Sequence, residues 1–95
     1  MAAYIVADIE ITDPAAYEQY KPKATAALQK YGARILVRGG AVESKEGGWA
    51  PKRLAVIEFR DMAALRRFYD SPEYAAAREI RQRASRSKLV FVEGV

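Results

Sequence analysis

The chain is predicted to fold as a single α+β domain, a four-stranded antiparallel sheet with its helices gathered on one face. Three observations carry this prediction. Two runs that alternate charged with aliphatic residues, Arg34 to Arg38 and Leu54 to Phe59, flank a glycine-rich stretch and read as an antiparallel pair. Two more alternating runs open and close the chain, Ala3 to Ile11 and Lys88 to Glu93. Between them lie segments with helical spacing, each opened by a capping residue.

Within the first strand, Ile5, Ile9 and Ile11 share one face and Tyr4, Val6, Asp8 and Glu10 the other. Thr12-Asp13-Pro14 then starts a helix, because Asp13 accepts from free first-turn N–H groups and Pro14 has no N–H to lose. Its buried stripe is Tyr17, Tyr20, Ala24, Ala27, Leu28 and Tyr31, and Gly32 closes it as a left-handed cap. Pro22 removes a backbone bond inside this helix, so a kink or short break is expected near Tyr20 to Lys23.

The second strand, Ala33 to Arg38, runs into Gly39-Gly40, where a bulge or bend is expected. Ala41 to Pro51 forms a hairpin arm turning at Gly47-Gly48, and Arg53 to Phe59 returns as the third strand. Asp61 caps a helix carrying Met62, Leu65, Phe68 and Tyr69, and Ser71-Pro72 starts another that reaches about Ala84 with Tyr74, Ala77, Ile80 and Ala84 inward. Lys88 to Glu93 is the last strand. The β-α-β-β-α-β order is the split βαβ arrangement, with first and third strands at the centre, expected to run parallel, and the second and fourth at the edges. One sheet face is left uncovered with apolar residues on every strand, which predicts a twofold homodimer through that face.

Composition narrows the chemistry. Ninety-five residues make one domain, and a chain of this length buries only about 60 to 70% of its unfolded surface, a second reason to expect a dimer. There is no Cys and no His, which excludes disulfides, thiolate nucleophiles, Cys/His zinc sites, His-ligated haem and a Ser-His-Asp triad. No cofactor is implied. No apolar run is long enough to span a membrane and the N-terminus lacks a basic leader, so a cytoplasmic protein is expected. Net charge is +4, but the arginines from Arg78 to Arg86 spread around their helix among Glu73 and Glu79, so no nucleic-acid partner is expected.

The segments ADIEITDPAAYEQY, ILVRGGAVE, WAPKRLAVIEF and FYDSPEYAAAREIR together resemble, along essentially the whole chain, a bacterial family of unknown function in the dimeric α/β-barrel superfamily. The resemblance implies a ferredoxin-like subunit, two of which join sheet to sheet. Superfamily members include cofactor-free monooxygenases, haem-binding enzymes, muconolactone isomerase-like proteins and small-ligand regulatory domains, and fold alone does not choose among them.

Asp8, Arg38 and Glu58 lie near the ends of neighbouring strands, and parity with Val6, Leu36 and Val56 directs all three into packed surroundings. Asp8 or Glu58 would serve as a base while Arg38 binds an anionic or enolate oxygen. The favoured reading of the same three residues is a structural ion-pair network at a subunit seam, and Arg34 competes with Arg38 as the partner of Glu58. Tyr17, Tyr20, Tyr69 and Tyr74 point from helices toward the sheet, where rings with polar tips suit a flat ligand or an ordinary core. Trp49 sits in a loop, a place for contact with a ligand or, the reading favoured here, another subunit. The expected function is binding of a small organic molecule in a cleft between helices and sheet, lined by Tyr17, Arg38, Glu58 and Tyr69, with cofactor-free oxygenase or isomerase activity. The alternative is a non-catalytic structural or interaction dimer.

Overall fold

A computed structural model describes the chain from Met1 to Val95. Its elements follow the order β1 (Ala3–Ile11), α1 (Pro14–Lys30), β2 (Arg34–Arg38), β3 (Leu54–Phe59), α2 (Met62–Tyr69), α3 (Pro72–Ala84) and β4 (Ser85–Glu93). The four strands make one sheet in the order β2-β3-β1-β4. Every neighbouring pair is antiparallel, including β1 with β3, which corrects the expected parallel pair. Each crossover does make its own two strands parallel, but another strand lies between them: β3 separates β1 from β2, and β1 separates β3 from β4.

Both faces of β1 follow the alternation in its sequence. Ala3, Ile5, Ala7 and Ile9 are buried toward the helices, while Tyr4, Val6 and Asp8 turn to the open face. Burial concentrates under α2 and α3, where Phe59, Leu65 and Phe68 are fully enclosed. Phe68 stacks at ring-centroid distances of 5.2 Å on Phe59 and 4.5 Å on Tyr74.

The helix ends are built as the sequence dictates. Asp13 Oδ1 accepts from Ala16 N at 3.2 Å, Asp61 Oδ1 from Ala64 N at 2.8 Å and Ser71 Oγ from Tyr74 N at 3.1 Å. At the C-terminus of α1, Gly32 takes a φ of 69°. Ala33 N then reaches Leu28 O and Gly32 N reaches Gln29 O, a Schellman closure. The helix passes through Pro22 without the short break that was one of the two outcomes expected there, the other being a kink. Pro22 and Glu18 are both exposed, so the carbonyl that loses its partner meets water instead.

Three departures from the predicted outline matter for the site. First, β2 carries its irregularity at Leu36 rather than at Gly39-Gly40: Ile35 pairs with Ile57 but Val37 pairs with Val56, leaving Leu36 as an extra residue. Second, residues 41–51 form an exposed loop without strand arms, although Gly47 and Gly48 do turn, at φ of 76° and 67°. Gly39 ends β2 with a φ of 64° and donates its N–H to Leu54 O, which closes the ladder at that point. Third, β4 starts at Ser85, with no loop after α3. Ser85 is fully extended, at φ −153° and ψ 163°, and pairs at once with Ile11, while Thr12 N and Asp13 N both reach Ala84 O.

Candidate functional site

Helix α1 packs chiefly against α3 and stands off the sheet. Among the residues lining the gap between helix and sheet, Ala24 on α1, Ala7 on β1 and Ala55 on β3 are small and leave space there. The result is a cavity of about 360 Å³, mostly apolar, roofed by α1 and α3 and floored by the helix-facing side of β1 to β3. Lys21, Val37 and Arg38 are exposed and mark its mouth between α1 and β2; Phe68, Tyr74 and Arg81 are buried and mark its inner end.

A polar row crosses this cavity. Tyr20 Oη and Tyr74 Oη are 2.9 Å apart, and Arg81 Nε donates to Tyr74 Oη at 3.3 Å. Burial, and then the neighbouring Tyr74 hydroxyl, hold the Tyr20 phenol far above its ordinary pKa, so it remains a protonated donor. Toward the start of α1, Tyr17 stacks on Tyr20 at 5.1 Å, and the Arg53 guanidinium lies 5.9 Å from the centroid of Tyr17. Gly39 makes room for Arg53: a Cβ there would meet Arg53 Nη1 at 2.7 Å. No Asp or Glu lines the cavity, and no carboxylate lies within 4.0 Å of a side-chain nitrogen of Arg38, Arg53 or Arg81.

The other side of the sheet has a different character. Val37, Val56, Val6 and Val90 stand opposite one another across β2, β3, β1 and β4, forming an apolar row on the face that no helix covers. Beside it, Tyr4 Oη donates to Glu58 Oε2 at 3.1 Å, and Arg34 Nη1 lies 3.9 Å from Glu58 Oε1. Donating to Glu58 raises the Tyr4 pKa, with lesser contributions from burial and from the carboxylate charge. Trp49, 60% exposed, donates Nε1 to Asp8 Oδ2 at 3.1 Å, which lays the 41–51 loop against this same face.

The residues singled out from sequence therefore divide between two faces. Tyr17 and Arg38 line the cavity. Asp8, Glu58 and Trp49 belong to the open face, and Glu58 has Arg34, not Arg38, as its neighbour. Simple alternation along β2 groups Arg38 with Glu58, but the extra residue at Leu36 reverses parity, so Arg38 pairs opposite Ala55 on the helix-facing side. Tyr69 packs outside the cavity between Tyr74 and Phe91, with the Arg78 guanidinium 5.0 Å from its ring centroid. Arg53 and Arg81 were not singled out from sequence. For Arg81 a signal existed: Tyr74, Ala77, Arg81 and Ala84, spaced three, four and three, are the buried positions of α3, whereas Ile80 is only half-buried.

The profile of a family described as a domain of unknown function, DUF1330, matches residues 2–95. The chain belongs to the DUF1330 family. Among solved structures, the DUF1330 chain is similar to RPA0582, a protein of unknown function from Rhodopseudomonas palustris, at a TM-score of 0.77 and 15% identity over 99% of this chain and 82% of that one. It is similar to a dimeric ferredoxin-like protein of unknown function from Jannaschia, at a TM-score of 0.68 and 18% identity over 99% of this chain and 100% of that one. SnoaB, a cofactor-independent oxygenase from Streptomyces nogalater, superimposes at a TM-score of 0.65 and 16% identity over 99% of this chain and 93% of that one. Likeness at these identities shows the ferredoxin-like fold that the sheet order already displays. No curated protein matches the sequence.

Proposed function

We propose that this DUF1330 protein binds a small organic molecule in the cavity between α1 and the sheet, and that it transforms that molecule without a cofactor as an oxygenase or isomerase. The observation that carries the reading is the cavity: about 360 Å³, apolar on most of its wall, with the Tyr20, Tyr74 and Arg81 row converging in it. That volume stands at the small end of the roughly 300 to 1,000 Å³ typical of ligand sites. Donors held in an apolar enclosure stabilise negative charge developing on a bound oxygen, as formation of an enolate or phenolate requires. The fold shared with a cofactor-independent oxygenase supports the activity class. The protomer works as one half of a homodimer joined through the valine row, in line with the dimeric ferredoxin-like relative.

A thermal-shift screen of small organic acids, phenols and their neutral analogues tests the binding. Compounds at a hundred times their Kd should stabilise the protein by about 2.7 kcal/mol. The same compounds should have no effect on an Ala24→Phe variant, whose ring fills the cavity, and binding compounds should be consumed with dioxygen uptake or isomerised in buffer free of metal and cofactor. Failure of every compound to stabilise the wild type, or equal stabilisation of the filled variant, overturns the site.

A further inference from the structure

We infer that the ligand of this cavity is an organic anion, and that Arg81 receives its charge. The inference rests on the cavity being a ligand site, and names what kind of ligand it takes. Arg81 is only 4% exposed, yet just one of its nitrogens has a partner in the chain, Nε toward Tyr74 Oη at 3.3 Å. No fully enclosed polar side-chain atom lacks a hydrogen bond, so the two terminal nitrogens keep accessible surface, and Arg81 lines the cavity.

Dehydrating a guanidinium is costly unless an opposite charge and good hydrogen bonds offset it. One neutral phenol at 3.3 Å is a poor offset, and the chain supplies no carboxylate. The shortage extends along the row. Whichever of Tyr20 and Tyr74 donates to the other, one phenolic proton remains without an acceptor in the chain. The site is thus a surplus of donors awaiting an acceptor. A carboxylate fits, because its two oxygens match the planar fork of a guanidinium. Arg38 and Arg53 give the mouth the same sign of charge, and low-dielectric walls focus such a field on an approaching anion. The apolar walls call for an apolar body behind the acid.

Matched acids and amides decide the matter: cinnamate with cinnamamide, benzoate with benzamide and hexanoate with hexanamide, titrated by calorimetry into the wild type, Arg81→Met, Arg81→Lys and Arg38→Met. Each acid should bind the wild type at least about tenfold more tightly than its amide, as loss of a hydrogen bond to a charged group implies. Arg81→Met should abolish that preference and leave the amides unchanged, and Arg81→Lys should restore part of it. Acids and amides binding equally, or only neutral compounds of the wider screen binding, would sink the anion while leaving the ligand site standing. A preference that survives Arg81→Met but disappears in Arg38→Met moves the charge to the mouth and overturns the role of Arg81. If nothing in either set of compounds binds, the ligand site itself fails and this inference with it. Should Arg81→Met not fold, carboxyl-¹³C cinnamate bound to the wild type gives the answer: its carboxyl must titrate below that of free cinnamate, and an unchanged or raised value overturns the proposal.

Discussion

Tyr74 is the hinge of the polar row, because its hydroxyl is shared by Tyr20 at 2.9 Å and Arg81 at 3.3 Å. Removing that hydroxyl strips the buried guanidinium of its one partner in the chain, whereas removing the Tyr20 hydroxyl deletes a single neutral bond. Tyr74→Phe should therefore cost about 1 to 3 kcal/mol in urea unfolding and Tyr20→Phe about 1 kcal/mol or less. Equal losses would mean that the Arg81 contact carries no weight. Arginine is a residue expected outside, and this expectation hid Arg81 even though the spacing of Tyr74, Ala77 and Ala84 includes it. The hydroxyl pairing was hidden for a different reason. A stripe of tyrosines is the same sequence whether its phenols meet one another, a ligand or water, and only the stand-off of α1 from the sheet decides among these.

At the scale of elements, α1 and α3 are clamped at one end. Lys30, the last residue of α1, and Tyr31, which caps it, both donate to Glu73 in the first turn of α3. The Lys30 hydrogen bond, then a backbone N–H and the Tyr31 hydroxyl, hold the Glu73 carboxyl down at about 2, below its ordinary value of 4.5. The folded-state pKa is depressed, so the stabilisation is complete above pH 4.5 and is lost as pH falls toward 2. Glu73→Gln should accordingly show a flatter dependence of stability on pH between about 5 and 2 than the wild type does, measured by urea midpoints. The caps and the Schellman turn were legible in sequence because each depends on a few adjacent residues: Asp13 with Pro14, Ser71 with Pro72, Gly32 after Tyr31. The bulge at Leu36 was not, since it depends on which residues β3 offers from across the sheet. Gly39 gives a further test of this edge. Its positive φ and the Arg53 guanidinium against it predict that Gly39→Ala costs about 1 to 2 kcal/mol, whereas Gly40→Ala, with open space around it, should be close to neutral by thermal unfolding.

The whole molecule is a slab, 36 by 34 by 16 Å, thick enough for a sheet and a single layer of helices. One broad face therefore has no covering layer, and its centre is the row Val37, Val56, Val6 and Val90. If a second copy covers this face, Val90→Lys should leave the fold intact, because Val90 is 58% exposed in the protomer, and should release monomers in sedimentation velocity. The wild type should in turn melt at a temperature that rises with protein concentration, and the variant should not. The α+β class and strand order were readable because period-two runs and short connections admit few topologies. The placement of Arg38 was not, because one extra residue decides it. Leu36 lies in an exposed edge strand where loss or gain of a residue resembles harmless variation in length. Deleting it would only restore a regular ladder, with Val37 still opposite Val56 and Arg38 still opposite Ala55. A slip that gave Leu36 a regular place in the ladder would, by contrast, carry Arg38 to the open face beside Arg34, converting a pocket charge into a surface charge without substituting any residue.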